Sequence, residues 1–159
     1  MPIVIDGHNL LHSIQKTGED SEQISDIQLC RIINEYLKFT RKKGEIVFDG
    51  TGPRDKSIFD NISNLEVLFA GLRTDADTVI ENKIKANTAP RRLTVVSSDR
   101  RVQSAARARR ATAVKALIFW NDLCKSLSRR KKAPKEPLAK YKGLTESETE
   151  HWLKFFGLQ

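Results

Sequence analysis

Ile3-Val4-Ile5-Asp6-Gly7-His8-Asn9-Leu10-Leu11 opens the chain with three β-branched residues stopped by an acid and a glycine. That pattern reads as a short buried strand that ends abruptly. It recurs at Ile46-Val47-Phe48, cut by Asp49-Gly50, and at Val67-Leu68-Phe69-Ala70, cut by Gly71. A fourth copy, Leu93-Thr94-Val95-Val96, ends in Ser97-Ser98-Asp99, and residues 113–116 read as a weaker fifth strand. Between them lie stretches of helical spacing: 21–43, 78–89, 102–110, and a helix carrying Trp120, Leu123, Cys124 and Leu127. Asp-Gly after a strand also suits a hairpin, but neither pair is followed by alternating residues. Strands too apolar to have a wet face, alternating with helices, predict an α/β fold. The expectation is a mostly parallel central sheet of four or five strands flanked by helices.

The 159 residues are 39% hydrophobic, enough for one compact main domain. The longest apolar run, Ala116 to Trp120, is far short of the roughly 20 residues that span a bilayer. The first residues have no basic head and meet an acid early, unlike a secretory signal. Cys30 and Cys124 sit in apolar helical patterns and read as buried thiols in a reducing compartment, which predicts a cytoplasmic protein.

The formal charge is +8, unevenly spread. Residues 1–90 hold 11 Lys/Arg against 14 Asp/Glu, whereas residues 91–159 hold 17 against 6. Such asymmetry suits a polyanion binder, with a merely solvated basic surface as the alternative. Residues 128–143 read as a basic, proline-punctuated linker. Residues 144–159 read as a short C-terminal helix, with a capping box at Thr145-Glu146-Ser147-Glu148 and an aromatic face expected to dock on the main domain. The domain reading is therefore 1–127, then linker 128–143, then helix 144–159.

The placement of acids carries the chemistry. Ligands of an open parallel sheet bind beyond the carboxyl ends of its strands, where three predicted strands end in Asp6, Asp49 and Asp99. Asp77 stands at the start of a helix that begins from the same edge. Clustered carboxylates without a Cys or His set suit Mg²⁺ or Mn²⁺ rather than zinc. Each acid also has a plainer role open to it. N-capping would explain Asp99, the helix dipole Asp77, the box Thr78-x-x-Glu81 would explain Glu81, and turns would account for Asp6 and Asp49. Asp75, two residues from Asp77, would point elsewhere on the helix.

Taken in order, Ile5-Asp6-Gly7-His8-Asn9-Leu10-Leu11, Val47-Phe48-Asp49-Gly50, Asp75-Ala76-Asp77-Thr78-Val79-Ile80-Glu81 and Val96-Ser97-Ser98-Asp99 resemble the NYN branch of the PIN-like ribonucleases, and within it the bacterial YacP-like group. The resemblance covers roughly residues 1–127 and rests on the order and spacing of four motifs. It implies a PIN-like fold and a Mg²⁺- or Mn²⁺-dependent endoribonuclease leaving 5′-phosphate and 3′-hydroxyl ends. Asp6, Asp77 and Asp99 would be the metal-binding catalytic carboxylates, with Asp49 matching the acid after the second strand. Asn9 would orient Asp6 or a substrate phosphate. Glu81 matches an acid of the family's Ala-Asp-x-x-Ile-Glu pattern, and Asp75 stands beside it as a further accessory acid. His8 departs from the aromatic residue common at its position.

Substrate grip is expected from the basic half. Arg100 and Arg101 adjoin Asp99, Arg107 lies along the next helix, and Arg129, Arg130, Lys131 and Lys132 form a run able to hold RNA or contact the ribosome. Sparse aromatic residues favour backbone electrostatics over base stacking. A non-catalytic RNA- or ribosome-binding module on the same fold is the alternative reading. A phosphatase would keep the acids without accounting for the basic half, and no Gly-x-x-x-x-Gly-Lys phosphate loop is present.

Overall fold

A computed structural model describes residues 2–17, 24–60 and 62–132. The first strand, β1 (Ile3–Asp6), passes directly into helix α1 (Gly7–Thr17), and α2 (Asp26–Thr40) leads to β2 (Gly44–Phe48). A 3₁₀ turn (Lys56–Phe59) precedes β3 (Leu65–Phe69), which is followed by α3 (Ala76–Ala86) and a second 3₁₀ turn (Pro90–Arg92). The chain ends its described course with β4 (Thr94–Val96), α4 (Arg100–Ala108), β5 (Thr112–Val114) and α5 (Ala116–Lys132). Every strand pair is parallel, in the order β3-β2-β1-β4-β5. The predicted α/β sheet with helices on both faces is what forms.

Strand parity builds two cores. Side chains alternate across a sheet, and parallel register aligns the alternation: Ile5 lies beside Ile46 and Val96, Val4 beside Glu45 and Val95. Ile3, Ile5, Ile46, Phe48 and Val96 pack with buried residues of α1, α2 and α5. Val4, Val47 and Val95 pack with Ile80 and Ile84 of α3 and Val102 and Ala106 of α4. The inner strands β1, β2 and β4 therefore have no wet face, which is why they read as apolar runs, whereas β3 and β5 at the edges keep exposed positions. After β3 the chain crosses β2 and β1 to reach β4, so the strand order reverses beside β1. The crevice at such a reversal, at the carboxyl ends of the strands, is where open sheets of this type place ligands.

Several boundaries differ from the expectation for local reasons. The helix α1 was not anticipated. It starts at a glycine immediately after the strand, and its Leu10, Leu11 and Ile14 cover one face of the sheet. The helix expected over 21–43 has its N-cap at Ser25, whose hydroxyl accepts from Gln28 N–H while Gln28 accepts from Ser25 N–H. Its stop is Arg41 in the left-handed region, φ 57°, rather than Gly44. Ala116 begins α5 instead of ending β5, and α5 continues through Lys132, so the first five residues of the expected linker are helical. The remainder of that segment and the C-terminal helix lie outside the described residues.

One contact ties the core to the site. Gly7, directly after Asp6, lies against the ring of Phe48, where an added Cβ would stand 2.5 Å from Cδ1 and Cε1. That ring is fully buried, stacked on Phe69 at 5.8 Å and edge-on to His8 at 5.2 Å. Gly7→Ala should therefore cost about 1–3 kcal/mol by overpacking. In urea denaturation, the double variant Gly7→Ala/Phe48→Leu should lose clearly less than the sum of the single losses. Strict additivity would show that the ring does not set the space at Gly7.

Candidate active site

The alternation that builds the second core also delivers the acids. Asp6, Asp49 and Ser97 continue the parity of Val4, Val47 and Val95, so all three side chains leave the sheet on the face covered by α3 and α4. Asp6 is 4% exposed, and Ser97 Oγ donates to its Oδ2 at 3.2 Å. Asn9 N–H approaches Oδ1 at 3.5 Å. The Asn9 side chain does something else, its Oδ1 accepting from Ser98 N–H at 2.8 Å and holding the loop after β4.

Asp77 is brought to Asp6 by the way α3 begins. Asp75 is the N-cap, its Oδ1 accepting from Thr78 N–H at 2.7 Å, and Asp49 Oδ1 reaches across to accept from Ala76 N–H at 2.7 Å. Two carboxylates thus take the free amides of the first turn. These bonds hold the Asp75 carboxyl below the usual carboxylate range, mainly through Thr78. They also commit Asp49 and Asp75 to positioning the helix. His8 completes this corner, its Nδ1 accepting from Asp49 N–H at 3.1 Å.

Asp99 caps α4, with Oδ1 accepting from Arg101 N–H at 2.8 Å, and its own amide donates to Ser97 Oγ at 3.1 Å. Its carboxyl and that of Asp6 both meet Asp77 within hydrogen-bonding reach. Burial, then the charges of Asp6 and Asp99, push the Asp77 carboxyl up to about 7. Burial also raises Asp6, against the hydrogen bonds from Asp77 and Ser97. A helix N-terminus favours a negative charge, so at Asp77 desolvation and like charge outweigh the dipole. Asp6, Asp77 and Asp99 thus form a chain centred on Asp77, and at neutral pH it needs a proton or a cation.

That demand is the test of a metal at this place, and the donors meet it. They are all carboxylate oxygens, the ligand type of hard divalent ions. Among the described residues no three His, Cys, Asp or Glu side chains already stand as a coordinating set. Asp6 and Asp99 each interact with Asp77.

The remaining expected site residues fall elsewhere. Arg101 lies along α3, donating through Nε and Nη2 to the two carboxylate oxygens of Glu81 and through Nη2 to Thr78 Oγ1 at 3.1 Å. Asp75 Oδ2 is 3.9 Å from its Nη1. Glu81 therefore pairs with the arginine expected to hold phosphate, and the pair bridges α3 to α4. Arg100 is exposed beside Asp99, Arg107 is at the far end of α4, and Arg129 is exposed on α5. Arg130, Lys131 and Lys132 belong to α5, and their side chains lie outside the described set.

Two residues were missed in the sequence. Ser97, 1% exposed, bonds Asp6 and Asp99 at once. Gln103 is buried and fixes Ser97 by donating from Nε2 to its carbonyl at 3.0 Å. Strand parity alone could have singled out Ser97, because it continues the inward face of β4.

Comparisons with known proteins agree with this fold. Two solved structures of Rae1 (YacP) from Bacillus subtilis share the fold. A point mutant superposes with a TM-score of 0.65 at 19% identity, covering 98% of this chain and 91% of that one. A second structure gives 0.63 at 22% identity, covering 99% and 92%. No curated protein sequence matches significantly. The YacP-like NYN domain matches residues 3–155, well beyond the 1–127 read from the motifs. With its acids gathered at the carboxyl edge of a parallel sheet, the chain belongs to the YacP-like NYN domain family, within the PIN-like ribonucleases.

Proposed function

We propose that this protein is an endoribonuclease that hydrolyses RNA phosphodiester bonds with Mg²⁺ or Mn²⁺ held by Asp6, Asp77 and Asp99. The observation that carries the reading is the meeting of three carboxylates from β1, α3 and the β4–α4 turn at one crevice, with Asp77 raised to about 7 by its neighbours. When bound, such an ion lowers the pKa of a coordinated water and offsets charge developing on the phosphoryl oxygens. Asp6 is the most buried of the three and accepts from the Ser97 hydroxyl within the sheet edge. Asp77 releases its proton near neutrality, so cation binding and proton loss are coupled there. Asp49, Asp75 and Asn9 position these groups: the first two hold the start of α3, and Asn9 holds the loop that carries Asp99. No protein nucleophile is needed, since water attacks the phosphorus.

Asp6→Asn and Asp77→Asn are each expected to lower the cleavage rate by at least about 100-fold. The assay uses unstructured and structured RNA with Mn²⁺ and with EDTA. Undiminished cleavage by both variants, or wild-type cleavage indifferent to EDTA, would remove this reading. RNA that is bound but left intact under every condition would favour the non-catalytic module.

A second outcome follows from linkage. The folded-state pKa of Asp77 lies above its unfolded value of 3.8, so the fold favours the protonated acid. This contribution is fully present below about pH 4 and is lost as pH rises toward 7. Without divalent ions, Asp77→Asn should therefore be more stable than wild type at pH 8. The gain should be roughly 1–2 kcal/mol after solvent screening, and it should vanish toward pH 4. Mn²⁺ should raise the wild-type melting temperature and leave the variant nearly unmoved. A variant less stable than wild type at pH 8 would contradict the like-charge account.

A further inference from the structure

The amino edge of the sheet at β4 and β5 is basic, whereas the carboxyl edge gathers the acids. Between Asn82 and Lys115 the only acid is Asp99, which stands at the carboxyl edge. Arg91 and Arg92 occupy the 3₁₀ turn just before β4. Helix α4 begins beside Asp99, runs back to the opposite edge and ends at Ala108 with Arg107 in its last turn, after which Arg109, Arg110 and Ala111 lead into β5. Thr94 is paired with Thr112, and Thr112 N–H donates to Leu93 C=O at 2.9 Å. Arg92 and Arg110 therefore each stand two residues before a paired threonine of neighbouring strands, whose backbones run about 5 Å apart.

All five arginines are exposed. Arg109 is used internally, donating from Nη2 to Asn87 C=O at 2.9 Å, which ties α4 to the end of α3. Among the described residues, Arg91, Arg92, Arg107 and Arg110 lie within 4 Å of no carboxylate, in contrast to Arg101. Arg110 also takes a left-handed backbone, φ 63°, at a helix end where glycine is the usual residue. The cluster is mutually repulsive as it stands, and a polyanion would relieve it.

The chemistry of the patch selects among polyanions. Exposed guanidinium forks match phosphate oxygens. Among the described residues, the exposed large apolar side chains, Phe39, Ile58, Leu72, Leu117 and Ile118, belong to other segments. Among the described residues the cluster thus offers neither a platform for unpaired bases nor the apolar centre of a protein interface. Seven residues separate Arg92 from Asp99 along the line of β4, roughly 20 Å of extended chain. Phosphates on the arginines are therefore not those beside the carboxylates. We propose that Arg91, Arg92, Arg107 and Arg110, at the amino edge of β4 and β5, hold the phosphate backbone of a double-helical RNA segment lying outside the catalytic crevice. Only the identity of the polyanion as RNA rests on the functional reading above.

Binding in EDTA separates this surface from catalysis. The probe is an RNA hairpin with a stem of roughly 16 base pairs, a length that a duplex-binding surface spans. Arg91→Gln/Arg92→Gln/Arg110→Asn removes three charges, with asparagine chosen for its tolerance of the left-handed backbone. The full-length variant, its melting temperature checked, should bind the hairpin at least about 10-fold more weakly, and its log K against log salt slope should be shallower by about two to three. The control Lys56→Gln/Lys115→Gln/Lys125→Gln removes the same charge elsewhere and should change affinity by less than about 3-fold. Cleavage of a single-stranded oligonucleotide of about six residues, too short to reach both edges, should be unaffected by the arginine variant. Hairpin affinity and slope unchanged in the arginine variant, or an equal loss in the lysine control, would overturn the proposal. Equal wild-type binding to polyglutamate of matched charge would also overturn it, by assigning the patch to acidic polypeptides. Failure of the wild type to cut any RNA would count against the nuclease reading alone, since the hairpin measurement needs no metal.

Discussion

A carboxylate at the end of a buried strand is the constraint around which this molecule is arranged. Asp6 is almost out of water, and a charge there is costly unless it is paired or neutralised. The fold supplies a hydroxyl from Ser97 and then sets two further carboxylates against it through Asp77. A structure that favoured stability alone would have put a cation or an apolar side chain in that place. The like-charge contact instead makes the crevice a sink for protons or divalent ions.

The surrounding hydrogen bonds explain how an unfavourable cluster is held. Three consecutive residues after β4 divide the task. Ser97 bonds Asp6, Ser98 Oγ accepts from Ala116 N–H at the start of α5, and Asp99 caps α4. Across the crevice, Asp75 and Asp49 hold the start of α3. Each of these bonds contributes about 1 kcal/mol. Together they fix three helix starts relative to β1, so the carboxylates cannot simply move apart. The same device leaves the carboxyl edge acidic.

Much of the fold was legible because period-two burial on both faces produces unmistakable apolar runs. Helix α1 was hidden because it begins within the strand-terminating motif itself, at Gly7, with no cap or spacer between the two elements. The end of α5 was hidden because Ser128 to Lys132 is basic without glycine or proline, a composition that suits an exposed helix as well as a linker. For the site, the acids at strand ends were visible as types. Their division of labour was not. Asp49 and Asp75 carry the same charge as Asp77, yet each turned out to bond a backbone amide of α3. Glu81 and Arg101, twenty residues apart, gave no local sign that they would neutralise one another.

By itself the sequence determined the layers, the ends of β1, β2 and β4 and the identity of the acids, because those follow from local burial periodicity and turn chemistry. Only the tertiary structure decided which acids meet. Parallel register put Asp6, Asp49 and Ser97 on one face, and the crossover from β3 to β4 carried α3 over β1. The physical reason is that contact between Asp6, Asp77 and Asp99 is set by strand order and helix placement. These depend on long-range packing rather than on the spacing of residues along the chain.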